Sequence, residues 1–387
     1  MSLNKSFLAL RWIDNIRIAL MLLGLLVGGL AYGQNPIGDP DDIVFKCEPY
    51  NLTCDTIKHK VPGRCEYCFK PLYATYKWLK QPSKIQNNSL KKTVAVLLFP
   101  GVEVIDFAGP YEVFEAAGAK VFTVAESTDV LTSGRSLKIE PNYSFENMPH
   151  ADIVVVPGGD VNSDNSVILD WLKKQDKQAE TIISVCNGAF YLSSAGMLDG
   201  LTATTFFTAI PSLKSTSPKT KVVDDQRFVD NGHIVTSAGL SSGLDAALFV
   251  VSKYLGTGRT EQIATTLEYK WNRDNDYVRA QLADKYVANL PDVFYSFPRK
   301  ILRYAGDANQ WHVDVSIQTD LTDEQIKRLV VVHLERVCHW KKSTTASNTW
   351  EFEDQSNIWS CALAIANGEQ AGGEKNVSIS VKRLTRR

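Results

Sequence analysis

Excess charge of either sign is missing from this chain. Its 42 Lys and Arg residues stand against 43 Asp and Glu, a formal net charge of −1. No basic stripe interleaves with aromatic residues, which excludes nucleic-acid binding driven by phosphate contacts. Long hydrophobic runs are scarce. The N-terminal one, Ile18–Leu30, has 13 residues, short of the roughly 20 that cross a bilayer. Internal repeats are absent, which excludes a solenoid. Residues 290–387 hold no helix-turn-helix pair, which excludes a DNA-reading domain there. Histidine is sparse too: of 6 in the chain, only His150 and His233 fall between positions 93 and 275. His150 sits on a loop before a strand and His233 starts one, so neither is placed as a catalytic base, and peptide hydrolysis is disfavoured.

A length of 387 residues implies two or three domains, and 44% apolar with 22% charged residues is ordinary for globular protein. The N-terminus departs from that. Lys5, Arg11 and Arg17 precede or flank the apolar run, and Ala31-Tyr32-Gly33 follows it. A basic segment, a short apolar core and a small-x-small site describe a secretory signal peptide over residues 1–33. The long basic segment and Asp14 leave an uncleaved membrane anchor open. Either way the chain is expected to be exported, periplasmic or held at a membrane facing outside the cytoplasm.

Residues 34–44 (QNPIGDPDDIV) read as a linker, and residues 34–79 as a small cysteine module. Cys47, Cys54, Cys65 and Cys68 form C-x6-C-x10-C-x2-C within 22 residues. Four thiolates ending in C-x2-C suit tetrahedral zinc, and an exported chain equally permits two disulfides. The segment VPGRCEYCFKPL (61–72) resembles half of a heavy-metal-binding module. Lys70 stands where such modules carry methionine, which favours structural zinc over copper. Cys338 and Cys361, far along the chain, are expected as buried thiols or one bridge. A polar linker, 80–92, closes this part.

The main domain, 93–275, opens with TVAVLLFPG, a continuous apolar run suited to a strand buried on both faces. Strands at 120–125, 152–156, 180–185 and 233–237 alternate with helices at 109–117, 166–175 and 242–255. That alternation predicts an α/β fold, a parallel sheet flanked by helices. Pro100-Gly101, Pro157-Gly158-Gly159, Cys186 and Ser237-Ala238-Gly239 then all fall at carboxyl ends of strands, where such sheets bind ligands. From 290 to 387 the pattern changes to alternating strands at 311–318, 349–352, 359–365 and 377–381. A helix capped by Thr322 lies among them, giving a small α+β domain.

The most informative stretch is SVCNGAFYLSSAGMLDG (184–200). A strand, a sharp turn and a small-residue helix form the layout of a nucleophile elbow, with Cys186 at its apex. A thiol at the start of a helix is expected to be ionised and reactive. Reactivity also suits a redox sensor.

Residues 93–275 resemble the ThiJ/PfpI superfamily, whose fold is shared with class I glutamine amidotransferases. The carriers are LLFPGVEVIDFAGPYEVF (97–114), DIVVVPGG (152–159), the elbow segment, TATT (202–205) and HIVTSAGLSSGLDAAL (233–248). The branches that fit are isonitrile hydratase and the ligand-sensing half of AraC-type regulators. The resemblance implies that Asp106 approaches Cys186 as a proton donor, a role a carboxyl within hydrogen-bond reach can fill. It implies that backbone N–H groups of Gly158, Gly159 and Asn187 stabilise a developing anion. It also implies a small-molecule substrate or ligand, no cofactor in the main domain, and a homodimer. Asn187 stands where proteolytic members carry histidine and isonitrile hydratases threonine, and Phe206-Phe207 stands where relatives often carry His-Trp. A cysteine-dependent hydratase or lyase acting on an isonitrile or dicarbonyl is the first expectation. A non-catalytic ligand- or redox-sensing module with a structural zinc is the second.

Overall fold

The computed structural model describes residues 89–274, 277–287, 290–354, 357–368 and 373–384, together with 43–47, 58–59, 65 and 72–76. The chain divides into two units, residues 1–87 and 88–387. In the first, Ile43–Cys47 pairs antiparallel with both Lys58–His59 and Leu72–Tyr76. Cys47 ends the central strand and Cys65 is buried. The expected signal peptide and the side chains of Cys47, Cys54 and Cys68 lie outside the described residues.

The second unit has two hydrophobic cores. The first is built on a seven-stranded sheet. Its strands are β1 (Thr93–Leu97), β2 (Lys120–Ala125), β3 (Tyr143–Ser144), β4 (Ile153–Val156), β5 (Thr181–Val185), β6 (Phe228–Asp230) and β7 (Ile234–Ser237). The order is β6-β7-β5-β4-β1-β2-β3. Every pairing is parallel except β6 with β7. The central strands β4 and β5 are buried at every position, as β-branched runs covered on both faces should be.

The helices of this layer are α1 (Val104–Ala116), α2 (Ser166–Asp176), α3 (Ala189–Ser194), α4 (Ser241–Leu255) and α5 (Thr257–Thr266). α1 starts five residues before the expected 109. Pro110 therefore lies inside the helix rather than in its first turn. Proline there lacks the N–H that would reach the carbonyl of residue 106, so one helical bond is forgone.

The second core lies under a six-stranded antiparallel sheet. Its strands are β8 (Arg299–Gly306), β9 (Gln310–Gln318), β10 (Lys341–Lys342), β11 (Thr349–Glu353), β12 (Ile358–Asn367) and β13 (Glu374–Leu384). The order is β8-β9-β13-β12-β11-β10. Trp311, Val313, Val315 and Ile317 alternate inward along β9. Helix α6 (Asp323–Arg336) begins with a Thr322–Gln325 capping box and buries Ile326, Val330 and Leu334, four residues apart, on the same core. This core begins before the expected position 290: Leu282, Ala283 and Val287 already belong to it. Cys338 and Cys361 are separate thiols, not a bridge. β8 is the sheet's margin, with Ile301, Leu302 and Tyr304 about half exposed.

Candidate active site

The parallel strands bring their carboxyl ends to one place. The backbone after β1 is laced to that after β4: Glu103 N–H donates to the Gly158 carbonyl at 2.8 Å and Asp160 N–H to the Gly101 carbonyl at 3.0 Å. The chain after β5 turns sharply through Cys186, whose φ is +59°. Left-handed backbone in a residue with a Cβ is strained, and the neighbours hold it there. The Thr205 hydroxyl donates to the Cys186 carbonyl at 2.8 Å.

Asp106 projects from the first turn of α1 and is fully buried. Glu103, not Asp106, is the N-cap residue. The carboxylate accepts two backbone hydrogen bonds. Leu240 N–H donates to Oδ1 at 2.8 Å and Gly158 N–H to Oδ2 at 3.3 Å, and the Cys186 thiol is the neighbouring side chain that also favours the charged carboxylate. Burial pushes the Asp106 pKa up to about 6, against the pull of those donors.

Cys186 differs from the expectation in its ionisation. It is 8% exposed. Burial, then the negative charge of Asp106, push its thiol well above the ordinary range, and the N–H of Asn187 offsets only part of that. The helix that follows has only six residues, and its dipole is outweighed by desolvation. Burial and the neighbouring carboxylate therefore both oppose a preformed thiolate here.

The expected anion site also differs. Gly158 N–H is committed to Asp106. Gly159 N–H donates to Asn187 Oδ1 at 2.8 Å, and Asn187 Nδ2 donates back to the Gly159 carbonyl at 2.8 Å. Asn187 thus ties the elbow to the β4 loop as a neighbouring strand would, and uses a donor that was expected to face the substrate. There is no room at this junction for larger residues. A Cβ on Gly158 would sit 2.2 Å from Asn187 Oδ1, 2.8 Å from Cys186 Cβ and 2.9 Å from Asp106 Oδ2.

The two histidines lie at the opposite end of the sheet. His233 precedes β7 and its Nε2 is 2.9 Å from Asp176; His150, 60% exposed, precedes β4 and is 3.6 Å from Asp152. Of the residues after β7, sequence reasoning placed Gly239 at this strand end and missed Leu240. Gly239, at φ +100°, packs against the cysteine, where a Cβ would lie 2.6 Å from Cys186 Cβ. Leu240 has φ +50° and ψ −123°, a conformation glycine advertises and leucine does not.

Comparison with known proteins follows the same residues. The DJ-1/PfpI family pattern matches residues 92–253. Isonitrile hydratase of Pseudomonas putida is 32% identical over 183 residues, 46% of this chain and 78% of the hydratase. The chain belongs to the DJ-1/PfpI family. An HTH-type transcriptional regulator of Pseudomonas aeruginosa is 25% identical over 257 residues, 62% of this chain and 73% of the regulator. Among solved structures, a ThiJ/PfpI family protein from Pseudomonas syringae shares 29% identity over 47% of this chain and 76% of its own, with a TM-score of 0.44. This DJ-1/PfpI domain is thus a distant relative of isonitrile hydratase.

Proposed function

We propose that the DJ-1/PfpI domain adds water to a small, strongly electrophilic carbon of the isonitrile type, with Cys186 as nucleophile and Asp106 as its base. The observation that carries the reading is the strained elbow that sets Cys186, at φ +59°, in the same tight junction as the fully buried Asp106 carboxylate, whose pKa burial raises to about 6. A carboxylate there at neutral pH takes the thiol proton as sulfur attacks, so no free thiolate is required.

For an isonitrile the balance is complete. Sulfur bonds to the terminal carbon, and the proton passes from sulfur through Asp106 to that same carbon, giving a thioimidate. Water then adds across the C=N bond, its oxygen to carbon and one hydrogen to nitrogen. The C–S bond breaks, the remaining hydroxyl proton returns through Asp106 to sulfur, and an N-substituted formamide leaves.

Formamide release from a panel of small isonitriles, followed by mass spectrometry, tests the proposal. Turnover by the parent chain, with loss in Cys186→Ser and in Asp106→Asn, is expected. Equal turnover by parent and Cys186→Ser refutes it. We read residues 1–33 as an export signal or anchor, and Cys47, Cys54, Cys65 and Cys68 as a zinc set. Zinc content of the full chain before and after Cys65→Ser tests the latter.

A further inference from the structure

Arg227 is 4% exposed and stands just before β6. Its Nε donates to Asp245 Oδ2 at 2.7 Å, with Nη2 2.6 Å from the same oxygen. Nη2 also donates to Ser241 Oγ at 3.2 Å, and Nη1 to the Tyr277 carbonyl at 2.9 Å. Asp245, on α4, is fully buried and in turn accepts from the Tyr269 hydroxyl at 3.0 Å and from Asn272 N–H at 2.9 Å. The backbone carbonyl of Arg227 accepts the Ala238 N–H at 2.8 Å.

One residue therefore grips both ends of the turn from Ala238 to Ser241. Between those ends lies Leu240, strained at φ +50°, with its N–H 2.8 Å from Asp106 Oδ1. A strained residue keeps its conformation only while its surroundings over-determine it. The guanidinium fork supplies such a constraint, because its donors point in fixed directions and lysine cannot reproduce them.

We propose that Arg227 is a positioning residue for Asp106, holding the Ala238–Ser241 turn so that the Leu240 amide stays on the carboxylate that serves Cys186. This rests on the reading of Cys186 and Asp106 as the reacting pair. The titratable groups acting on Asp106 are the Cys186 thiol and the Glu103 carboxylate, the latter 3.6 Å from Arg135. The charge of Arg227 faces Asp245. Its influence on Asp106 is through the turn, and loosening the turn removes a donor that favours the ionised carboxylate.

The test is the pH dependence, from about 5 to 9, of Cys186 alkylation by iodoacetamide in the full chain, read on the Cys186 peptide by mass spectrometry. The parent is expected to show an acidic limb near pH 6. In Arg227→Lys the limb should move up by about one pH unit, since a hydrogen bond to a charged group is worth about that much. Alkylation at pH 6 then falls about fivefold while the rate at pH 8 hardly changes. Ser241→Ala, which leaves the Arg227–Asp245 pair intact, should shift the limb the same way by less. An unmoved limb in both variants overturns the proposal, and so does a uniform loss at every pH. A parent with no limb near pH 6 overturns both this inference and the role of Asp106 as base. A shifted limb with no formamide from any isonitrile supports the positioning role and removes the substrate assignment.

Discussion

Replacing Gly158 with alanine places one methyl group against three side chains of the site at once. The three approaches, 2.2, 2.8 and 2.9 Å, compare with about 3.5–4.0 Å for relaxed contact between carbon atoms. Asn187 must retreat most, and its paired hydrogen bonds to Gly159, both 2.8 Å, are lost at about 1 kcal/mol each. Overpacking adds about 1–3 kcal/mol. Gly158 does not have a positive φ, so alanine regains about 0.4–1 kcal/mol by restricting the unfolded chain. The net expectation is a loss of about 2–4.5 kcal/mol in urea unfolding, together with altered Cys186 alkylation, because Asp106 and Cys186 are pushed apart. Gly258→Ala is the internal control. That glycine lies in α5 with open space around it and should gain about 0.5–1 kcal/mol. A Gly158→Ala chain matching the parent in unfolding midpoint and in alkylation rate would show that the junction is not packed as described.

Three further outcomes follow from the same geometry. Asp106 ionises near pH 6 in the fold against an ordinary 3.8, so its contribution to stability is full below about pH 4 and lost as pH rises through 6. The unfolding free energy of Asp106→Asn, measured relative to the parent, should therefore increase by up to about 3 kcal/mol from pH 4 to pH 7.5; a difference that stays flat with pH refutes the burial argument. Trp350, 1% exposed with its Nε1 donating to Glu335 at 3.1 Å, anchors the second core, and Trp350→Ala should lower stability by about 3–5 kcal/mol in denaturant titration. Cys361 is fully buried and burial pushes its thiol up to about 12. It should resist iodoacetamide in the native chain at pH 7.5 and react on unfolding, with labelling of the folded protein as the contrary result.

The sheet was readable because its strands are short apolar runs that fill both faces, and because residues 97–114 and 184–200 are long, ordered signatures. The elements that escaped are those whose signal is tertiary. β8 has no buried face to impose alternation, so it left no pattern. α1 starts before its pattern suggests because proline marks a first turn in sequence, whereas packing of the buried face carries the helix past the lost bond. At the site, the partnership of Asp106 with Cys186 was legible, yet its protonation was not. A helix start argues for thiolate, and only burial, which no single sequence position reveals, decides against it. Gly158 and Gly159 were placed in the right neighbourhood with the wrong partners, because a side-chain amide that imitates backbone pairing cannot be told from any other asparagine. Arg227 and Leu240 carried no local mark at all.

The outer margin of the second sheet has a bearing on how the chain behaves in solution. β8 is paired along one side only, with β9, and carries half-exposed Ile301, Leu302 and Tyr304, a surface that invites lateral growth. Lys300 and Arg303 stud that same strip, whereas Arg299 lies 3.7 Å from Asp292. Two copies approaching margin to margin bring cation against cation, so dilute buffer should keep such chains apart, and added salt, by screening the repulsion, should let them stick.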